Sequence, residues 1–317
     1  MKTRGITEGA MFCALGVIIT LVSYYIPIFV ILVFFIPVPM IVLGKRQGLK
    51  VSVISALAAT LLIGLFLGPV NAIPFGALML FVGCSLGYAY NQNFSSFRKV
   101  IIGTVGFAIF LIAVVIGFEV ISGINFTNYL FQTLEESTNE VMAFYETTNI
   151  ISGDQLTTTK EAMETNIKLM KLALPSAFIM MPVLFGMVNV VVSDLILKRL
   201  GYEVNGFKPL REWEMPASLK YFLMIFLFGD FIISIFQITA IPQIYLVTIM
   251  YFVNVIFFVM GLSLIFNYLD YKKVTNKGIK VLILFLSFLI ISIVTIAGVA
   301  DTYIGIRRIF RRESQIK

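Results

Sequence analysis

FIPVPMIVLGKRQGLKVSVISA, residues 35–56, places two apolar runs on either side of a short turn that carries Lys45, Arg46 and Lys50. The first run holds Pro37 and Pro39, and the second resumes at Val51 within a few residues of the turn. A bilayer core about 30 Å thick needs roughly 20 apolar residues per helical crossing. Only helices and closed barrels satisfy the backbone there. The stretch therefore reads as two membrane helices joined by a tight basic turn, and the positive-inside rule puts that turn in the cytoplasm.

Working outward, nine apolar segments follow this pattern, at about 6–25, 28–43, 51–68, 72–90, 100–122, 172–197, 218–239, 243–268 and 280–300. Further basic joints hold Arg98 and Lys99, then Lys198, Arg199, Lys208 and Arg211, then Lys272, Lys273, Lys277 and Lys280. The intervening joints near Pro27, at 68–74 and near Pro242 are uncharged. This alternation predicts a multi-pass protein of the bacterial cytoplasmic membrane with a cytoplasmic N-terminus. One feature conflicts: Arg307, Arg308, Arg311 and Arg312 would lie outside after nine crossings. The expectation is about nine spans, with eight if the proline-interrupted 28–43 or the last segment does not fully cross.

Composition agrees. Of 317 residues 59% are hydrophobic and 13% charged, with net charge +7 and mean hydropathy +0.96, where a soluble domain carries about 25% charged residues. The fold class expected is an all-α polytopic transmembrane helical bundle. The first run lacks a small-residue cleavage site and leads straight into a second, so it reads as a retained helix. Histidine is absent, which removes the commonest general base and metal ligand. Cys13 and Cys84 lie inside apolar runs and read as neither disulfide nor ligand. With no phosphate loop, nucleophile elbow or metal motif, the expectation is a non-enzyme with no catalytic residue, metal or cofactor and no nucleic-acid partner, in contact with the lipid bilayer.

The organisation expected is five transmembrane helices over 1–122, an extracytoplasmic amphipathic insertion over 123–171, a sixth transmembrane helix at 172–197, a basic joint at 198–217, three transmembrane helices over 218–300 and a basic tail at 301–317. The insertion holds seven acids and three lysines. Leu130, Leu134, Val141 and Phe144, then Met163, Ile167, Met170 and Leu174, recur near helical spacing. SGDQ (152–155) and TTKE (158–161) fit capping boxes. Two amphipathic helices over the outer face are expected, serving as cover, lid or docking surface.

Three stretches carry a resemblance: TEGAMFCALGVIITL (7–21), the 35–56 turn, and LGPVNAIPFGALMLFVGCSLGYAY (67–90). Over about 1–105 they resemble the substrate-binding S components of energy-coupling factor vitamin transporters, and the whole chain looks like the YybS-type membrane proteins of Gram-positive bacteria. The resemblance implies a six-helix S-component-like core followed by about three further helices. Ala10 and Ala14 match the small-residue strip on which S components dock a transmembrane coupling subunit; the alternative is packing within this chain. Asn71, with Pro69 and Phe75, matches a loop near which S components bind vitamins; the alternative is an ordinary turn. Transport would then be the use, with ATP hydrolysis on separate subunits. Rod-shape-determining membrane proteins, which share this layout, open the alternative of a scaffold or regulator working through protein partners.

Charges at membrane depth single out other candidates. Asp230 lies mid-span behind Gly229 and must face helices or water. It reads as a ligand or proton site, or as a packing hydrogen bond with Asn189, Asn254 or Thr248. Asn189 is itself a ligand candidate. Glu119, at an outer helix end, would face an outward pocket or simply water. Asp194 stands four residues before Lys198, spacing that allows an ion pair. Glu8, in a first turn, suits the helix dipole. Pro175, Pro182 and Gly186 interrupt the sixth segment, and Trp213 reads as an interfacial anchor.

Overall fold

The computed structural model describes residues 3–148, 153–236, 242–274 and 276–308; the side chains of Asp230, Ser234, Gln243 and Lys277 fall outside the description. Among these residues all regular secondary structure is helical. Its helices are α1 (Thr3–Tyr25), α2 (Val38–Gln47), α3 (Leu49–Leu67), α4 (Pro69–Leu78), α5 (Ser85–Asn91), α6 (Ser96–Ser122), α7 (Phe126–Thr148), α8 (Asp154–Arg199), α9 (Ala217–Phe236), α10 (Gln243–Tyr271), α11 (Lys277–Leu289) and α12 (Ile291–Ile304). A tight 3-10 segment, Pro27–Phe35, precedes α2, and a π-helical stretch, Met79–Cys84, joins α4 to α5. Seven helices among the described residues are long and apolar enough to cross a membrane, eight if the bent pair α11–α12 is one span.

The contacts divide the chain into two compact units, Met1–Lys168 with Ala177–Gly206, and Leu169–Ser176 with Phe207–Lys317. The first holds most of six of those seven helices. It is knitted by close backbone approaches at small residues: a Cβ on Gly44 of α2 would lie 2.6 Å from the Gly87 Cα of α5, and one on Gly186 of α8 would lie 2.7 Å from the Thr104 nitrogen of α6. Where water supplies no hydrophobic drive between helices, such approaches maximise dispersion contact.

The insertion differs from the two-helix expectation. α7 is one helix, but the second is the N-terminal part of a single 46-residue helix that runs on through the sixth apolar segment. TTKE lies inside that helix, not at its start, and Thr158 Oγ1 donates to the Asp154 carbonyl at 2.7 Å. The first residue of SGDQ, Ser152, lies outside the described residues. Pro175 and Pro182 leave the helix continuous. On α7 the buried side chains are Phe131 and Met142, while Val141 and Phe144 are exposed.

In the second unit the ninth apolar segment is broken at Ile290, with α11 and α12 bent by 102°. Each arm is about 20 Å long at 1.5 Å per residue, too short to cross alone. Both ends of the pair hold the 207–216 joint region. Lys280 of α11 donates to Asp270 Oδ1 at 2.7 Å, and Arg211 of the joint pairs with the same carboxylate. At the other end Arg307 Nη1 donates to the Trp213 carbonyl at 2.7 Å. Lys280 and Arg307, near the two ends of the pair, are thus both tied to groups beside the joint. A C-terminal green fluorescent protein fusion is expected to fluoresce and an alkaline phosphatase fusion to stay inactive; the reverse pattern would mean that the last segment crosses.

Candidate functional site

α1 carries two small-residue strips with opposite fates. Gly5, Gly9, Cys13 and Gly16 are buried. A Cβ on Gly9 would come within 2.8 Å of Ser55 Oγ on α3, so glycine is what allows α1 and α3 to touch. Ala10 and Ala14 are exposed. They lie among Ile6, Met11 and Ile18, which are 58%, 51% and 56% exposed. The strip that faces inward among the described residues is the glycine one. Small side chains on a helix surface let another helix approach closely.

Asn71 and Phe75 share a face of α4, one turn apart. Gly68, at φ +82°, turns the chain and Pro69 opens the helix, so Asn71 sits in a first helical turn and its amide donates to the Leu67 carbonyl at 2.9 Å. The Phe75 ring meets Tyr24 edge-on at 6.2 Å, and Tyr24 meets Tyr25 at 5.3 Å. Three aromatic rings therefore cluster near the start of α4, on which Asn71 also lies. Glu119 is placed otherwise: its Oε1 accepts from Asn125 Nδ2 at 2.8 Å and from the Phe126 amide at 2.9 Å. It caps α7 and fixes where the insertion begins.

Asn189 is fully buried on α8. Its Nδ2 donates to the Phe34 and Phe185 carbonyls at 3.1 and 3.0 Å, which ties α8 to the segment before α2. Phe185 stacks on Phe34 and Phe107 at 5.3 and 4.1 Å. Asn189 Oδ1 and Ser193 Oγ, one turn apart, are buried and make no hydrogen bond among the described residues. Asp230 lies on α9, and its side chain falls outside the described residues. Thr248 Oγ1 donates to the Ile244 carbonyl of its own helix at 2.7 Å.

A buried polar cluster forms around Asp194. Lys99, at the start of α6 and 1% exposed, donates to Asp194 Oδ1 at 2.9 Å and to the Asn205 carbonyl at 2.9 Å. Tyr90, at the end of α5, donates to the same Asp194 oxygen at 2.6 Å, and its ring lies 4.1 Å below the Lys99 ammonium. Lys45, near the end of α2, donates to the Tyr90 carbonyl at 3.0 Å. Asp194 thus pairs with Lys99, not with Lys198. The cluster locks the basic-joint ends of α2, α5, α6 and α8 together. Glu8 does the same for α1, accepting from Arg46 at 2.8 and 3.0 Å. Nothing in the local pattern near Lys99 separates it from a solvated joint charge.

An all-α, multi-pass membrane protein built on a six-helix unit, with polar clusters that fasten helix ends, is the class these features define. The chain belongs to the family described as Predicted membrane protein (DUF2232), which matches residues 14–302. It is similar to YybS, an uncharacterized protein of Bacillus subtilis (strain 168), with 26% identity over 96% of this chain and 98% of that protein. No solved structure matches.

Proposed function

We propose that this chain is a non-catalytic, membrane-embedded binding subunit that works with a separate membrane protein docked along Ala10 and Ala14. The observation that carries this reading is the outward placement of the Ala strip while the neighbouring Gly strip is buried. The resemblance of residues 1–105 to S components supports a small molecule as ligand and transport as its use, with energy supplied by other subunits. The Asn71–Phe75–Tyr24 face suits a small heterocycle, since an amide fixes orientation and aromatic rings supply apolar contact. The N-terminus and the basic joints then lie in the cytoplasm.

The test is co-purification from native membranes. Ala14→Trp is expected to reduce a bound membrane partner at least tenfold while leaving the melting temperature within about 2 °C, because an exposed substitution away from any packing contact changes stability little. A partner retained by the variant, or no partner at all, overturns docking on this strip. A second reading is a scaffold that holds protein partners through α7, whose Phe144 is 56% exposed. Loss of partners on Val141→Ser with Phe144→Ser, but not on Ala14→Trp, would favour it.

A further inference from the structure

The second unit carries two hollows that share one lining side chain, Tyr303. The larger, about 500 Å³, is lined by Met224, Leu227, Phe228 and Phe231 of α9 and by Val299 and Tyr303 of α12. Apart from the Tyr303 hydroxyl these side chains offer no polar group that could bind a headgroup. The smaller, about 210 Å³, has Lys220, Arg307, Arg308, Glu214 and Asp301 in its wall together with Tyr303. Tyr303, which lines both, is held in place: its ring lies 6.1 Å from Phe257, and its hydroxyl donates to the Lys220 carbonyl at 2.9 Å.

The charges in the polar hollow do not cancel. Among the described residues that line it, three cations face two carboxylates. Arg307 is spent on Asp301, with contacts of 2.6 and 2.7 Å, and on the Trp213 carbonyl and Ser263. Lys220 and Arg308 form no ion pair among the described residues, and the Lys220 ammonium stands 5.5 Å from the Tyr303 ring centre. The chain places Arg308 there by ending α12 at Gly305, whose φ of +77° reverses direction in a conformation open chiefly to glycine. What results is a surplus positive charge in a hollow that shares the Tyr303 side chain with a carbon-lined one. A basic pocket between helices recognises anionic headgroups, and the groove accepts what a free anion lacks.

We propose that the two hollows together bind one anionic phospholipid, with its phosphodiester between Lys220 and Arg308 and an acyl chain along Phe228, Phe231 and Val299. The site belongs to the second unit, so its failure leaves docking at Ala10 and Ala14 untouched. The test uses the full chain in mild detergent, with native mass spectrometry and titration by phosphatidylglycerol, phosphatidylcholine and inorganic phosphate. Phosphatidylglycerol is expected to be retained at one per chain and to bind at least tenfold more tightly than phosphatidylcholine, with no competition from inorganic phosphate. Lys220→Gln with Arg308→Gln is expected to erase that preference while Trp213 fluorescence stays unchanged, and Phe228→Ala to weaken retention without altering it. Equal retention of both lipids identifies ordinary annular lipid, and competition by inorganic phosphate identifies a free-anion site. Either result, or an unchanged double variant, overturns the proposal.

Discussion

Asp194→Ala is expected to destabilise the first unit by about 3–5 kcal/mol, the cost of leaving one partner of a buried ion pair alone. The Lys99 ammonium is 1% exposed and has two oxygen partners, Asp194 Oδ1 and the Asn205 carbonyl. Removing the carboxylate leaves a desolvated cation with one neutral acceptor and strips Tyr90 of its shorter hydrogen bond at 2.6 Å. The hydroxyl keeps the Val190 carbonyl at 2.9 Å, so the main loss falls on Lys99. Deleting both charges tests this account. Lys99→Met with Asp194→Leu removes the desolvation cost along with the attraction, and such replacements are often neutral or stabilising. The double variant is therefore expected to be more stable than Asp194→Ala alone. Thermal unfolding in detergent, followed by helical circular dichroism, measures both. A single-variant loss under about 1 kcal/mol would show that the pair is hydrated like a surface one.

The contrast between Asp194 and Lys198 shows what the sequence carried and what it did not. Span lengths and joint charges are local properties, so each of the nine apolar segments corresponds to helix in the described chain. An i,i+4 spacing is local too, and it suggested Lys198. The real partner is 95 residues away, and no local pattern encodes that contact. Ala10 and Gly9 present the same ambiguity on one helix: both belong to four-residue small strips, and only contact with Ser55 decides which faces inward. On α7 the alternation was legible, but the buried face passes through Phe131 and Met142 rather than Leu130 and Val141. Polarity also misled at 171/172, since helical hydrogen bonds continue through a change of side-chain character. The break at Ile290 has neither Pro nor Gly to announce it. The pairing of small residues that sets α10 against α12 was equally invisible, because each glycine is unremarkable until the other lies opposite.

At that pairing Gly298→Leu is expected to collapse the packing of the second unit. A Cβ on Gly298 would lie 1.9 Å from the Phe257 carbonyl oxygen and 2.7 Å from the Gly261 nitrogen, while one on Gly261 would lie 2.0 Å from the Val294 oxygen. Backbone faces backbone, so no side chain can rotate away and the helices must separate. Gly298→Ala alone is expected to cost about 1–3 kcal/mol, the usual range for overpacking, and leucine more. Separation also pulls Arg307 from Ser263 and the Trp213 carbonyl, 3.3 and 2.7 Å away. Trp213 is the chain's single tryptophan, so its emission reports on this unit. Gly229→Ala on α9 is the control: a Cβ there meets nothing within 4 Å, and replacing a mid-helix glycine by alanine gains up to about 1 kcal/mol. Opposite signs for two glycines of one unit would separate steric contact from helix propensity. The double variant Gly261→Ala with Gly298→Ala carries the argument further. Neighbouring sites that share one contact are not additive. Once the first methyl has parted the helices, the second has little left to displace, so the pair is expected to cost clearly less than the two single losses combined. Full additivity would mean that parting the helices at one of these two carbonyls does not relieve the approach at the other.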